Sequence, residues 1–283
     1  MSTSTVYKAG WTLDDIPWSL FDRTKVGPGL LTAVKAAALV EFNAPTYVQY
    51  LSRVFRGADK SVADFEHWGK EEAQHGEALG RWAEMVDPNW SFAEAFKRFE
   101  AGYRPPHFSS DDEVSVRGSR RGEMIARCVV ESGTSSYYSA IRDATDEPVL
   151  KQIAGRIAAD EYRHYKLFLD TLRAQDEPQM PFWRRLMVAW RRIDESDDDE
   201  LAYAFYCADV AREEEAAKPY DRAVYSKKSM AQNAHIYRKN HIRKLVQMVA
   251  KAIGAAPQGR MTSAAANLVW RIFVIRARQS AMS

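Results

Sequence analysis

Apolar residues recur three and four positions apart along most of this 283-residue chain, in long segments with few Gly or Pro. That spacing marks amphipathic helices. It predicts helices over 29–55, 60–86, 91–102, 117–145, 147–174, 181–193, 199–216, 221–253 and 261–279. The breaks carry the chemistry of helix ends. "VDPNWS" separates the second and third helices and offers Ser91 as an N-cap, and "GYRPPHFSSDDE" is the longest loop. Pro148 suits a first turn, where its missing N–H is not needed, and "DEPQMP" and "GAAPQG" close two further segments. Alternating strand patterns are nearly absent and no repeat of solenoid length is present, so the fold class read from the chain is all-α.

Two of these helices carry an unusual pair. "EEAQHGEALGRW" holds Glu72 and His75, and "AADEYRHYKLF" holds Glu161 and His164. Residues three apart are neighbours on a helix surface, so each carboxylate and imidazole can close on one metal ion or merely share a hydrogen bond. With 6 His and 19 Glu in the chain, chance places fewer than one such pair. Each pair lies on the second helix of a hairpin whose first helix carries a lone glutamate in apolar surroundings: Glu41 in "AAALVEFNAPTY" and Glu131 in "ARCVVESGTSSYY". Glu41 precedes Glu72 by 31 residues and Glu131 precedes Glu161 by 30, so each lone glutamate falls opposite its Glu-x-x-His when the hairpin closes. Buried charges are costly unless paired or bound to metal, and carboxylate oxygen with imidazole nitrogen suits iron or manganese. The register therefore predicts a di-metal core with ligands Glu41, Glu72, His75, Glu131, Glu161 and His164.

A glutamate from each of two helices with a Glu-x-x-His from each of two others is the ligand pattern of ferritin-like di-iron proteins. The chain resembles that superfamily, and within it the soluble acyl–acyl-carrier-protein desaturases. The resemblance rests on "EFNAPTY" (41–47), "EEAQHGEALGRW" (71–82) and "IAADEYRH" (157–164) and covers about residues 38–170. It implies a ferritin-like four-helix bundle over 29–175, an N-terminal extension over 1–28, and additional helices over 176–283. It implies two iron ions, with manganese as an alternative at either site, and the same six ligands. Thr134 matches a family threonine near the oxygen-binding face; its ordinary alternative is a hydroxyl bonded to its own helix. Asp160 is expected to orient a ligand histidine by accepting its ring N–H, or else to be solvated. The implied activity is an O₂-dependent oxidation of an unactivated C–H bond, desaturation or hydroxylation. Its expected partners are O₂, a hydrophobic or acyl substrate carried by an acidic protein, an external electron donor such as a ferredoxin, and a second copy in a homodimer. Competing readings are a rubrerythrin-like peroxidase, an N-oxygenase, an iron-storage protein, and a binding protein with a relic metal site. Nothing in the last hundred or so residues resembles the desaturases.

Composition and charge adjust this picture in three places. Hydrophobic residues at 46% and charged residues at 28% fit a folded globular protein. Two cysteines, Cys128 and Cys207, are too few for a disulfide framework or a Cys-based cluster. With no signal-like N-terminus and no long apolar run, this leads to an expected cytoplasmic location. From Lys218 onward 13 Lys/Arg meet a single acid, Asp221, a charge of +12; the whole chain carries +2, so −10 falls on the first 217 residues. The tail is expected to meet an acidic partner or anionic membrane surface, or to be a solvated basic face; nucleic acid is not expected. "NLVWRIFVIRARQS" (267–280) reads as either an interfacial helix or one docked on the bundle. His67 reads as surface or as a residue behind the ligands, His107, His235 and His241 lack carboxylates at helical spacing, and Tyr137 and Tyr138 read as packing residues rather than site residues.

Overall fold

The computed structural model describes residues 10–27, 29–103, 113–195, 199–211, 214 and 217–281. His107 lies outside them. Among the described residues there is no strand. The helices are α1 (Leu30–Phe42), α2 (Ala44–Val54), α3 (Asp59–Val86), α4 (Phe92–Gly102), α5 (Arg120–Ala144), α6 (Pro148–Ala174), α7 (Phe182–Asp194), α8 (Asp199–Asp209), α9 (Arg222–Ala234), α10 (Lys239–Ala252) and α11 (Arg260–Ala281). Three short 3₁₀ turns precede α1, within residues 13–25.

Most predicted boundaries fall within a few residues of these, and their caps are visible. The Ser91 side chain accepts from the Glu94 amide at 3.3 Å. Glu147 caps α6 by accepting from the amides of Val149 and Leu150 at 3.2 and 2.7 Å, with Pro148 at the first position. Three expectations are corrected. The segment 29–55 is two helices, because Pro45 has no amide to donate and its ring collides with the carbonyl four residues earlier, that of Glu41. The segment 221–253 breaks at 235–238, where His241 Nδ1 accepts from the Arg238 amide at 3.1 Å and caps a new helix. The segment 199–216 ends as a helix at Asp209, where the Arg98 guanidinium takes the Cys207 and Val210 carbonyls at 2.5 and 2.9 Å.

Helix α1 packs on α3, α5 packs on α6 across the short link 145–147, and α3 packs on α6. The approach of α1 to α3 depends on Gly76: a Cβ there would lie 2.7–2.9 Å from Phe42 and the Ala38 carbonyl. Helix α8 lies on α1, while α7 and α10 lie on α5. Two of the three apolar clusters divide the long helices lengthwise, the third lying between α1, α4 and α8. Trp82, Ile141, Leu150 and Ile157 belong to one, and Phe65, Met124, Tyr165 and Phe168 to the other. Along α3, α5 and α6 the charged residues of the two motifs fall in the interval between these clusters. None of the described helices is long and apolar enough to cross a membrane.

Candidate metal centre

The helical period carries each side chain inward at mid-helix. Glu41 sits on the last turn of α1, Glu72 and His75 at the middle of α3, Glu131 at the middle of α5, and Glu161 and His164 at the middle of α6. All six are buried. Their ligand atoms form two overlapping groups: Glu41, Glu72, His75 and Glu161, and Glu72, Glu131, Glu161 and His164, with the atoms of each group within 4.8 Å of one another. Glu72 and Glu161 belong to both.

The geometry within the groups is specific. Glu72 turns one oxygen to each histidine: Oε2 lies 3.2 Å from His75 Nδ1 and Oε1 lies 3.0 Å from His164 Nδ1. Glu161 Oε1 lies 3.3 Å from His75 Nδ1. The lone glutamates stand further off, Glu41 Oε2 at 3.8 Å from His75 Nδ1 and Glu131 Oε2 at 3.7 Å from His164 Nδ1. The two imidazole centroids are 5.8 Å apart. Glu131 Oε2, Glu161 Oε1 and His164 Nδ1 are buried without a well-formed hydrogen bond; all three belong to residues of the second group, and Glu161 Oε1 also faces His75 of the first. Buried polar atoms are normally satisfied, and these three lie where the Glu and His groups could hold a cation.

The electrostatics agree. Burial raises the Glu41 and Glu131 carboxyls well above the usual range, and the nearby Glu72 and Glu161 carboxylates add to that. Burial acts in the same direction on Glu72, but the hydrogen bond with Glu41 and the charge of His164 outweigh it and hold Glu72 well below the usual range. For the histidines burial disfavours the charged ring, yet the surrounding carboxylates win. Asp160 and Glu161 lead in raising His75, and Glu72 and Glu71 in raising His164 to about 9. Four carboxylates in one dry cluster draw in positive charge, as protons or as metal. Two divalent cations match those four carboxylates in charge, and the set of carboxylate and imidazole ligands suits them. The buried Glu and His groups can therefore hold metal.

Around this core the structure adds residues that the sequence reading did not. Asp160 does meet a histidine, that of the other hairpin: its Oδ2 lies 3.1 Å from His75 Nε2 and accepts from Trp11 Nε1 at 2.7 Å. Glu71 is its counterpart, with Oε2 at 2.9 Å from His164 Nε2. Arg163 ties the two together, at 3.0 Å from Glu71 and 2.6 Å from Asp160. Trp11, from the segment before α1, stacks on His75 at 5.9 Å, and its carbonyl accepts from Gln74 at 2.9 Å. Tyr138 packs in the core as expected, and its hydroxyl in addition reaches the centre, donating to Glu41 Oε1 at 2.5 Å. Tyr137 points instead to Asn233 Oδ1, at 3.2 Å. The Thr134 hydroxyl donates to Glu161 Oε2, with the Val130 and Glu131 carbonyls at 3.4 and 3.3 Å as alternative acceptors.

The remaining histidines stand apart. His67 is exposed, its Nε2 3.9 Å from Glu71, and His235 is exposed at the end of α9. His241 lacks a carboxylate on its own helix but meets one from α5, with Nε2 3.0 Å from Asp143 Oδ2. Cys128 and Cys207 are both buried, and no disulfide joins them. No protein-family model matches the chain, and a search of curated proteins returns no match.

Proposed function

We propose that the chain is a ferritin-like di-iron oxidase, related to the soluble acyl–acyl-carrier-protein desaturases, that oxidises an unactivated C–H bond of a hydrophobic substrate. The observation that carries this reading is the overlap of the two ligand groups at Glu72 and Glu161. A single-ion site has no use for a second terminal glutamate and a second histidine sharing the same carboxylates. On this reading Glu41 and His75 serve one ion, Glu131 and His164 the other, and Glu72 and Glu161 serve both. Bound and reduced, the iron pair supplies the electrons and Lewis acidity that activate O₂.

The chain's own residues set the conditions. Asp160 and Glu71 accept from Nε2 of His75 and His164, which keeps the proton on that nitrogen and presents the Nδ1 lone pair inward. Tyr138 holds Glu41 by a hydrogen bond from α5. The Thr134 hydroxyl sits at Glu161 Oε2 as the nearest proton-bearing side chain to that carboxylate. Leu39 and Val129, two residues before the glutamates of their helices, are buried in separate apolar clusters that flank the centre and help exclude water. Removing two hydrogen atoms while O₂ becomes two waters requires two further electrons, hence an external donor.

The test is anaerobic loading with ferrous iron, metal analysis, and oxygen uptake with and without fatty acyl thioesters. The proposal expects two ions per chain and uptake stimulated by an acyl substrate. One ion or none removes the di-metal reading. Two ions with peroxide reduction and no acyl stimulation favours the peroxidase, and a large hollow assembly favours storage.

A further inference from the structure

Among the described residues, the large apolar side chains that remain exposed concentrate on α7 and α11. Helix α11 runs from Arg260 to Ala281 and packs on α9 and α10. It buries Thr262 and Ala266 and sets Phe273 against Tyr237 at 5.2 Å. The helix is thus docked on the molecule, as one of the two sequence readings expects. Its outward side is nevertheless apolar. Met261, Leu268, Ile272 and Ile275 are exposed by 88%, 58%, 45% and 56%. Their spacing puts them on one face, a stripe of roughly 20 Å at the helical rise of 1.5 Å per residue. By the same period Arg260, Arg271 and Arg278 share one flank of that stripe. No acid follows Asp221 in the chain, so α11 and both helices beneath it carry only positive side-chain charge.

We propose that this outward face of α11 docks on an anionic lipid surface. Charge complementarity selects the partner. If α11 met α11 of a second copy, arginine would face arginine with no acid on either helix to relieve the repulsion. An acidic protein would answer the arginines but would need an apolar groove shaped to the stripe. A lipid surface accepts a convex helix without a shaped partner: the apolar stripe enters the boundary between headgroups and acyl chains, and the arginines reach the phosphates on long apolar stems. Helix α7 also exposes apolar side chains, Trp183 and Trp190 among them. An acidic run, Asp194–Glu200, follows it directly, so the same argument favours α11. The inference does not depend on the oxidase reading, since binding is read without turnover.

The experiment is co-sedimentation of the full chain with vesicles of phosphatidylcholine alone and of phosphatidylcholine with phosphatidylglycerol, across a salt series. The expected result is binding to the anionic vesicles only, weakening as salt rises. Leu268→Gln with Ile272→Gln should abolish it, and Arg271→Gln with Arg278→Gln should weaken it roughly tenfold or more. These positions are exposed, so helicity by circular dichroism should be unchanged. Binding to neither vesicle overturns the proposal, as does binding that the α11 variants leave intact. A wild-type dimer that the Leu268/Ile272 variant converts to monomer overturns it in favour of a second copy. Capture of a purified acidic carrier protein through the same face, without vesicle binding, overturns it in favour of a protein partner.

Discussion

Glu71→Leu isolates one half of the centre. Glu71 Oε2 lies 2.9 Å from His164 Nε2, the one hydrogen bond of this nitrogen among the described residues. Removing the acceptor leaves a buried N–H unsatisfied, at a cost of about 1–3 kcal/mol. It also removes the group that fixes which ring nitrogen carries the proton. Loss of such a partner behind a ligand histidine typically costs 10- to 100-fold in metal affinity, the same range by a second route, since tenfold corresponds to about 1.4 kcal/mol. The fold should stand, because Glu71 is half-buried and Arg163 keeps Asp160 at 2.6 Å. The assay is titration of the metal-free protein with cobalt(II), followed by absorbance and calorimetry, which needs neither O₂ nor substrate. The weaker affinity should appear in one of two binding phases, because Asp160 still supports His75 at 3.1 Å. Glu71→Gln, which keeps an acceptor oxygen, should fall between the two. Equal weakening of both phases, or no change in either, would refute the assignment of Glu71 to the His164 half.

Thr134→Val removes a hydroxyl at nearly constant shape; it should leave two metals bound and the melting temperature close to wild type, yet lower turnover or divert oxygen to free peroxide, read by coupled peroxide detection. Tyr138→Phe removes the hydrogen bond to Glu41, one with a carboxylate and worth about 1–3 kcal/mol, and should weaken the metal-binding phase that Glu71→Leu spares. Asp143→Asn tests the tether between α5 and α10. Burial pushes the Asp143 carboxyl up, but the hydrogen bond with His241 and the Arg142 guanidinium hold it below the usual range. A carboxyl so lowered stabilises the fold above its ordinary titration range and loses that contribution as pH falls through it. The variant should therefore unfold at lower urea than wild type at neutral pH, by about 1 kcal/mol for a half-exposed pair, with the gap closing as pH is lowered.

The centre was legible where helical period does the work. A Glu-x-x-His on one helix and a lone glutamate 30 or 31 residues earlier are local patterns, and a hairpin turns them into one site. Thr134 and Asp160 were read from the resemblance to the desaturases. Glu71 was not, because an acid next to a ligand glutamate reads as solvated charge. Its one signal was parallelism: Glu71 precedes Glu72 as Asp160 precedes Glu161. Tyr138 lies seven residues after Glu131, two turns along the same face, so period could have placed it inward, but its acceptor is on another helix. Trp11 meets Asp160 across 149 residues, a separation at which no local pattern reports. The split after Phe42 was written in Pro45, four residues beyond Glu41, and was outweighed by the strong apolar periodicity on either side.

The two hairpins repeat each other in their ligands and differ in what surrounds them, and the difference gives the centre a direction. On the first hairpin the position three after Glu41 is Ala44 and the position seven after is Val48; on the second the corresponding residues are Thr134 and Tyr138. The polar groups of both positions thus come from α5 alone. Tyr138 reaches across to hold Glu41, and Trp11 covers His75. The Glu41–His75 half is therefore tied down from outside its own hairpin by Tyr138, Trp11 and Asp160, where the Glu131–His164 half has Glu71 of α3. Of the three buried atoms without a well-formed hydrogen bond, two, Glu131 Oε2 and His164 Nδ1, lie in the Glu131–His164 half, and the third, Glu161 Oε1, faces His75. A small molecule that must share the centre with the ligands meets less resistance where carboxylate and imidazole are not already committed. Under the di-iron reading this puts O₂ and the oxidised C–H bond on the Glu131–His164 side. Glu71→Leu should then depress turnover more than Tyr138→Phe does at equal metal occupancy. The opposite order would place the reacting face on the side that Trp11 covers.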